Sequence, residues 1–199
     1  NTQIENPNLM LEGMPNYRSG VDGLRVSNST KGGITFAAST TQNGIHMITV
    51  VLGVEAVDGD PYARFVATSS LMNYVVRTFV SSIVVKEGDP YGKSKASVMD
   101  GKSETVLAVA KKDFYIVEKQ GSQAEPKIQF KSTQESFKAP VKSGTTLGKL
   151  HYTDPDKIGR GYLEDQEPTV DMVAGRTIEK SFFLKVWWNE FVRYVNEKL

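Results

Sequence analysis

The chain has 199 residues, 39% hydrophobic and 24% charged, with 24 Lys and Arg set against 23 Asp and Glu for a net charge of +1. Those proportions suit one or two ordinary globular domains, and the interspersed charge leaves no basic tract of the kind that grips nucleic acid. There is no cysteine, so disulfides, thiolate metal sites and cysteine nucleophiles are excluded.

The opening Asn1-Thr2-Gln3 has neither a charged nor an apolar leader pattern, so a leader is expected to have been removed or the chain to begin inside a longer one. Residues 1–20, broken by Gly13, Pro15 and Asn16, read as a turn-rich lead into a strand. Strands are predicted at 21–26, 34–38 and 45–54. The last two are joined by Thr41-Gln42-Asn43-Gly44, whose Asn-Gly pair suits a primed hairpin turn with positive φ. The expectation is a three-stranded antiparallel meander. In Asp58-Gly59-Asp60-Pro61, Asp60 is expected to cap a helix and Pro61 to occupy its first position, where a missing N–H costs nothing. That helix should run to about Phe79, with Phe65, Leu71 or Met72, Val75 or Val76, and Phe79 forming one face against the meander.

Residues 83–85 and Gly88-Asp89-Pro90-Tyr91-Gly92 mark a change of character. Beyond them the short runs 105–110, 114–117, 128–130 and 147–152 alternate with turn residues, which predicts an all-β sandwich of roughly 80 residues. Residues 138–148 should be an exposed connection inside it. The final stretch, 177–199, reads as an amphipathic helix with Phe183, Leu184, Trp187, Trp188, Phe191, Tyr194, Val195 and Leu199 on one side. It is too short and too charged to span a bilayer. It either packs on the sandwich or lies in a membrane interface, and the crowding of Phe183, Trp187, Trp188 and Phe191 favours lipid contact.

One stretch carries more than architecture. Val21-Asp22-Gly23-Leu24 followed by Arg25-Val26-Ser27 resembles the active-site strand of the small penicillin-binding proteins, bacterial serine-type D-alanyl-D-alanine carboxypeptidases, where Val-Asp-Gly-Leu runs into Lys-Thr-Gly. Asn6-Pro7-Asn8-Leu9-Met10-Leu11 is similar to the family's Asn-x-Asn-x-Leu-Leu. Residues 33–40, 45–53 and 60–65 resemble its next two strands and helix. Lys138-Ala139-Pro140-Val141-Lys142-Ser143-Gly144 and Gly148-Lys149-Leu150 resemble its carboxy-terminal sandwich, and residues 182–199 its membrane-seeking helix. The likeness is nearest to the Gram-positive kind.

That resemblance implies an α+β chain in three parts. Residues 1–87 would be the carboxy-terminal portion of a transpeptidase-like domain, 88–176 a β-sandwich and 177–199 an amphipathic anchor. In the family the motif Lys adds charge near the nucleophile, the Thr hydroxyl binds the substrate's terminal carboxylate, the Gly admits substrate closely, and the next N–H completes the oxyanion hole. At these positions Arg25 keeps charge without the compact ammonium, Val26 lacks the hydroxyl, Ser27 adds a side chain, and Asn28 supplies the following N–H. The four are a degenerate substrate site, or Arg25-Val26 is simply an edge-strand pair with Val inward. Arg64 falls where the family commonly places an arginine for the substrate carboxylate; the alternative is a solvated helix arginine.

The family's Ser-x-x-Lys and Ser-x-Asn are expected upstream of Asn1, so no catalytic residue is assigned within this chain, which alone should be inactive. His46 and His151 read as separate surface strand residues, with no metal site and no cofactor. Expected partners are a peptidoglycan stem peptide when the chain is joined to the missing half, a membrane surface, and further copies of itself through open strand edges; nucleic acid is not among them. The expected location is peripheral, on the extracellular face of the cell membrane. The alternative function is a non-catalytic, membrane-tethered β-sandwich scaffold at the cell wall.

Overall fold

The computed structural model describes residues 5–29, 31, 33–55, 59–162, 166–182, 186–188, 192, 194 and 195. It is mixed α+β and dominated by strands, and its contacts divide it into two units: residues 1–81 with 117–121, and residues 82–116 with 122–199.

The first unit contains β1 (Val21–Ser29), β2 (Gly33–Gln42), β3 (Ile45–Val54) and α1 (Ala63–Thr78), the strands lying antiparallel in the order β1-β2-β3. Asn43 and Gly44 turn the β2–β3 hairpin with φ of 52° and 74°, the primed geometry their sequence predicts. Phe36 and Ala38 of β2 and Ile45 and Met47 of β3 alternate inward to meet Phe65 and Met72 of α1. The Phe36 and Phe65 rings meet edge to face at 5.1 Å. Leu71 is 45% exposed, so of the two candidates Met72 is the one turned inward.

The helix starts later than expected. The Asp60 side chain accepts the Tyr62 N–H at 2.8 Å and closes a turn ahead of the helix, while Tyr62 itself stands at the N-cap without a side-chain bond. Upstream, the asparagines of the Asn-Pro-Asn run build two successive turns: Asn6 Oδ1 accepts the Asn8 N–H at 3.0 Å, and Asn8 Oδ1 accepts the Met10 N–H at 3.0 Å. They deliver Met10, wholly buried, into the core. Arg18 then ties this segment down, donating from Nη2 to Gln42 Oε1 and from Nη1 to Asn73 Oδ1, both at 2.8 Å.

The second unit contains β5 (Pro90–Met99), β6 (Thr105–Ala110), β8 (Lys127–Ser132), β9 (Ser136–Lys138), β10 (Thr146–Thr153) and β11 (Thr169–Ala174). They form one sheet in the order β8-β10-β11-β6-β5-β9, antiparallel except for β5 with β9. A two-stranded ribbon joins β4 (Phe79–Val85) to β7 (Phe114–Lys119), and the division between the units falls inside both strands. Val106, Ala108, Leu147, Leu150, Tyr152, Val170 and Met172 are core residues of this unit, each no more than 2% exposed.

Two expectations for this unit are corrected. Residues 138–148 are not an exposed connection. Ala139 and Val141 are buried between exposed Lys138, Pro140 and Lys142, a period-two pattern that turns small apolar side chains inward. Val141 and Ile178 exchange backbone bonds at 2.9 and 2.7 Å, closing an isolated bridge. For the same reason the terminal helix does not begin at Thr177. Ile178 is buried, Lys180 bridges Gly101, and helical residues are described at 186–188, 192, 194 and 195. Phe183 and Phe191 lie outside the described residues. Among those described, no helix is long and apolar enough to cross a membrane.

Candidate functional site

The residues singled out at 25–28 lie on β1, which runs on to Ser29, beyond the predicted end at 26. Its register sets Arg25 opposite Ala37, Val26 opposite Phe36, Ser27 opposite Thr35 and Asn28 opposite Ile34. Because β1 is outermost in the order β1-β2-β3, one of its two edges has no described strand beside it. The alternation puts Val26 half-buried against the first unit's core, while Arg25, Ser27 and Asn28 are exposed. A cation and a hydroxyl therefore stand in solvent around one inward-turned valine.

Arg64, 37 residues away in sequence, belongs to the same place. It sits in the first turn of α1 with 8% exposure, and its Nη1 donates to the Ser27 carbonyl at 2.9 Å and to the Thr35 carbonyl at 3.3 Å. The guanidinium carbon lies 5.9 Å from the Phe65 ring centroid. Nε is buried without a hydrogen-bond partner. Arg64 is thus not a solvated helix arginine. It holds the β1–β2 pair at the Ser27 and Thr35 carbonyls and keeps unspent donor capacity.

The remaining candidates are dispersed. His46 is exposed on β3, with Nδ1 3.1 Å from Thr41 Oγ1. His151 is half-buried on β10, and its pKa is lowered by burial and then by Lys131 and Lys149, against an opposing pull from Glu167. Among the described residues no group of three or more His, Asp or Glu could hold a metal ion. Trp187 and Trp188 are 60% and 58% exposed. Asp22, which was not singled out, accepts a short hydrogen bond from the Ser39 hydroxyl and joins β1 to β2 at the other end of the candidate strand.

The D-alanyl-D-alanine carboxypeptidase DacA of Haemophilus influenzae is 27% identical over 133 residues, 66% of this chain and 32% of that relative. DacC of Escherichia coli is 25% identical over 167 residues, 84% of this chain and 38% of the relative. The chain therefore spans roughly a third of the length of each, 32% of the first and 38% of the second. Among solved structures, a peptidoglycan synthesis regulatory factor (PBP3) from Streptococcus pneumoniae matches with a TM-score of 0.83 at 45% identity, over 88% of this chain and 48% of that one. Penicillin binding protein 5 from Haemophilus influenzae matches at 0.57 and 23%, over 81% and 43% of the two chains, a likeness of fold alone. The family described as penicillin-binding protein 5, C-terminal domain, matches residues 79–180, just over half the chain. With a second unit of β-strands in that span, and homology to D-alanyl-D-alanine carboxypeptidases beyond it, the chain belongs to the penicillin-binding protein 5 C-terminal domain family.

Proposed function

We propose that this chain is the carboxy-terminal part of a membrane-attached D-alanyl-D-alanine carboxypeptidase of peptidoglycan maturation, in which β1 forms one wall of the substrate cleft. The observation that carries this reading is the clamp between Arg64 and Ser27. A buried guanidinium donates to the backbone of the exposed strand whose sequence stands at the Lys-Thr-Gly place, and so fixes that strand against α1. An extended stem peptide could lie along the open edge of β1, drawing on main-chain pairing, with Arg25 facing its terminal carboxylate. The names of the relatives supply the substrate class.

The acylated serine and its lysine belong to residues preceding this chain in such an enzyme, since no Ser-x-x-Lys occurs among the 199 residues. Membrane attachment rests on Trp187 and Trp188, large amphipathic rings at high exposure near the carboxy terminus. The second unit, a six-stranded sheet with its own buried core, serves as an accessory domain of that enzyme.

Incubation with a fluorescent penicillin tests the enzymatic part. The purified chain should take up no covalent label, and a serine modified stoichiometrically, located by mass spectrometry, would overturn the assignment. Sedimentation with phosphatidylglycerol vesicles tests the anchor: Trp187→Ala with Trp188→Ala should reduce binding without lowering Tm, and unchanged sedimentation would remove the basis for attachment.

A further inference from the structure

The six-stranded sheet of the second unit turns one face to its core and the other outward. On the outward face the register sets Lys131 of β8, Lys149 of β10 and Asp171 of β11 side by side on neighbouring strands. Lys111 closes the row: its N–H donates to the Asp171 carbonyl at 3.0 Å and its Nζ lies 3.7 Å from Asp171 Oδ2. An open hollow of about 480 Å³ lies here, bordered by Lys111, Lys112 and Lys149. Through Lys111 it adjoins a hollow of about 380 Å³, and through Gly88, Val109 and Gly175 a third of about 540 Å³, edged by Lys95 and Arg176 and floored by Leu107 and Val109. Taken together, the three hollows with shared lining residues make a groove-like tract along this face. Six cations border it or stand beside it, against two carboxylates, Glu87 and Asp171, the second already engaged by Lys111.

Such an arrangement is unfavourable by itself. Like charges directly opposite on adjacent strands repel, and strands about 5 Å apart keep Lys131 and Lys149 well inside a Debye length. His151, the next outward position along β10, feels both lysines: after burial, Lys131 and Lys149 lower its pKa, against an opposing pull from Glu167. An anionic occupant would relieve that repulsion. Lysines, as compact point charges with freely turning donors, can follow phosphates spaced along a chain, and the guanidinium fork that grips carboxylate or phosphate in one fixed plane is present here only in Arg176. The groove is long and open rather than enclosed, which suits a polymer lying across it. Exposed Leu107 and half-buried Val109 offer apolar contact to carbon between charged groups. We propose that this face binds an extended phosphodiester polymer, its phosphates seated on Lys131, Lys149, Lys111 and Lys112 at one end and on Lys95 and Arg176 at the other.

The test uses the full chain and a fluorescently labelled poly(glycerol phosphate) followed by anisotropy. Reversal of Lys111, Lys131 and Lys149 to Glu should weaken binding about tenfold or more, because charge facing the polymer is being inverted rather than removed. An equal reversal of charge in the first unit, at Lys31, Arg77 and Lys119, should leave it within about twofold. Should the triple variant fail to fold, Lys131→Gln with Lys149→Gln carries the test, with an intermediate loss expected at unchanged Tm. Equal weakening by both reversals would mean general charge attraction and overturn the proposal. So would polyglutamate binding as tightly as the phosphate polymer, or phosphatidylglycerol vesicles being the only anion held through these lysines.

Discussion

The two units write opposite messages on the outward faces of their sheets. In the second, inward Leu147, Leu150 and Met172 are fully buried, while the outward positions Lys131, Lys149 and Asp171 are polar and suited to water. In the first, β3 turns Ile45 and Met47 inward yet leaves Ile48, Val50 and Leu52 outward at 63%, 55% and 74% exposure. A strand apolar on both faces is the pattern of one covered on both. The second unit therefore closes its core with its own side chains. The first presents a prepared surface with nothing described over it, in keeping with a chain that spans 48% of the pneumococcal structure it matches.

The sharpest way to break this comparison is to empty each core separately. Leu150→Ala should cost the second unit about 3–5 kcal/mol, and Met72→Ala the first about 2–4 kcal/mol, since both side chains are fully buried and leave cavities. In urea unfolding followed by hydrogen exchange, Met72→Ala should move an earlier transition at 34–54, and Leu150→Ala a later one at 105–110 and 147–152. A single transition shifted equally by both would mean that the units do not fold separately.

A smaller effect sharpens the contrast at the candidate strand. Arg64→Leu keeps an apolar stem beside Phe65 but leaves the Ser27 and Thr35 carbonyls short of a donor, which should destabilise the first unit by about 1–3 kcal/mol. Faster amide exchange along 24–28, with 147–152 unchanged, is the expected reading. Unaltered exchange on β1 would show that the clamp does not position the strand.

Much of this was legible in the chain. The Asn43-Gly44 turn, the meander, the end and inward face of α1 and the β character beyond residue 88 follow from turn chemistry and from periods of 2 and 3.6. What escaped depended on partners distant in sequence. Nothing local says that Ile178 pairs with Val141, so an amphipathic pattern was extended backward over residues that are strand-like. Gly148, where the expected connection 138–148 overlaps the expected strand 147–152, lies within β10, and a Cβ there would collide with the Lys131 carbonyl and the Phe130 ring. At the candidate site, the placement of Arg25 and Val26 on a strand was legible. That Arg64 meets Ser27 was not, because the register joining α1 to β1 is a property of the packed unit.

The least disruptive change addresses the outward face of β3. Ile48 and Val50 are exposed, so replacing both with Lys removes little buried area, and stability should change by no more than about 0.5 kcal/mol per site. The same lysines should suppress association. β3 is the second outer strand of its sheet, and residues 45–54 carry no Asp, Glu, Lys, Arg or Pro to discourage edge pairing. By contrast β1, the other edge, carries Asp22 and Arg25. Sedimentation velocity across a concentration series should therefore find the parent chain self-associating and Ile48→Lys with Val50→Lys monomeric at equal Tm. A monomeric parent, or a double variant that loses several kcal/mol, would mean that this face is already covered within one chain, and the contrast between the two units would fail at the surface on which it rests.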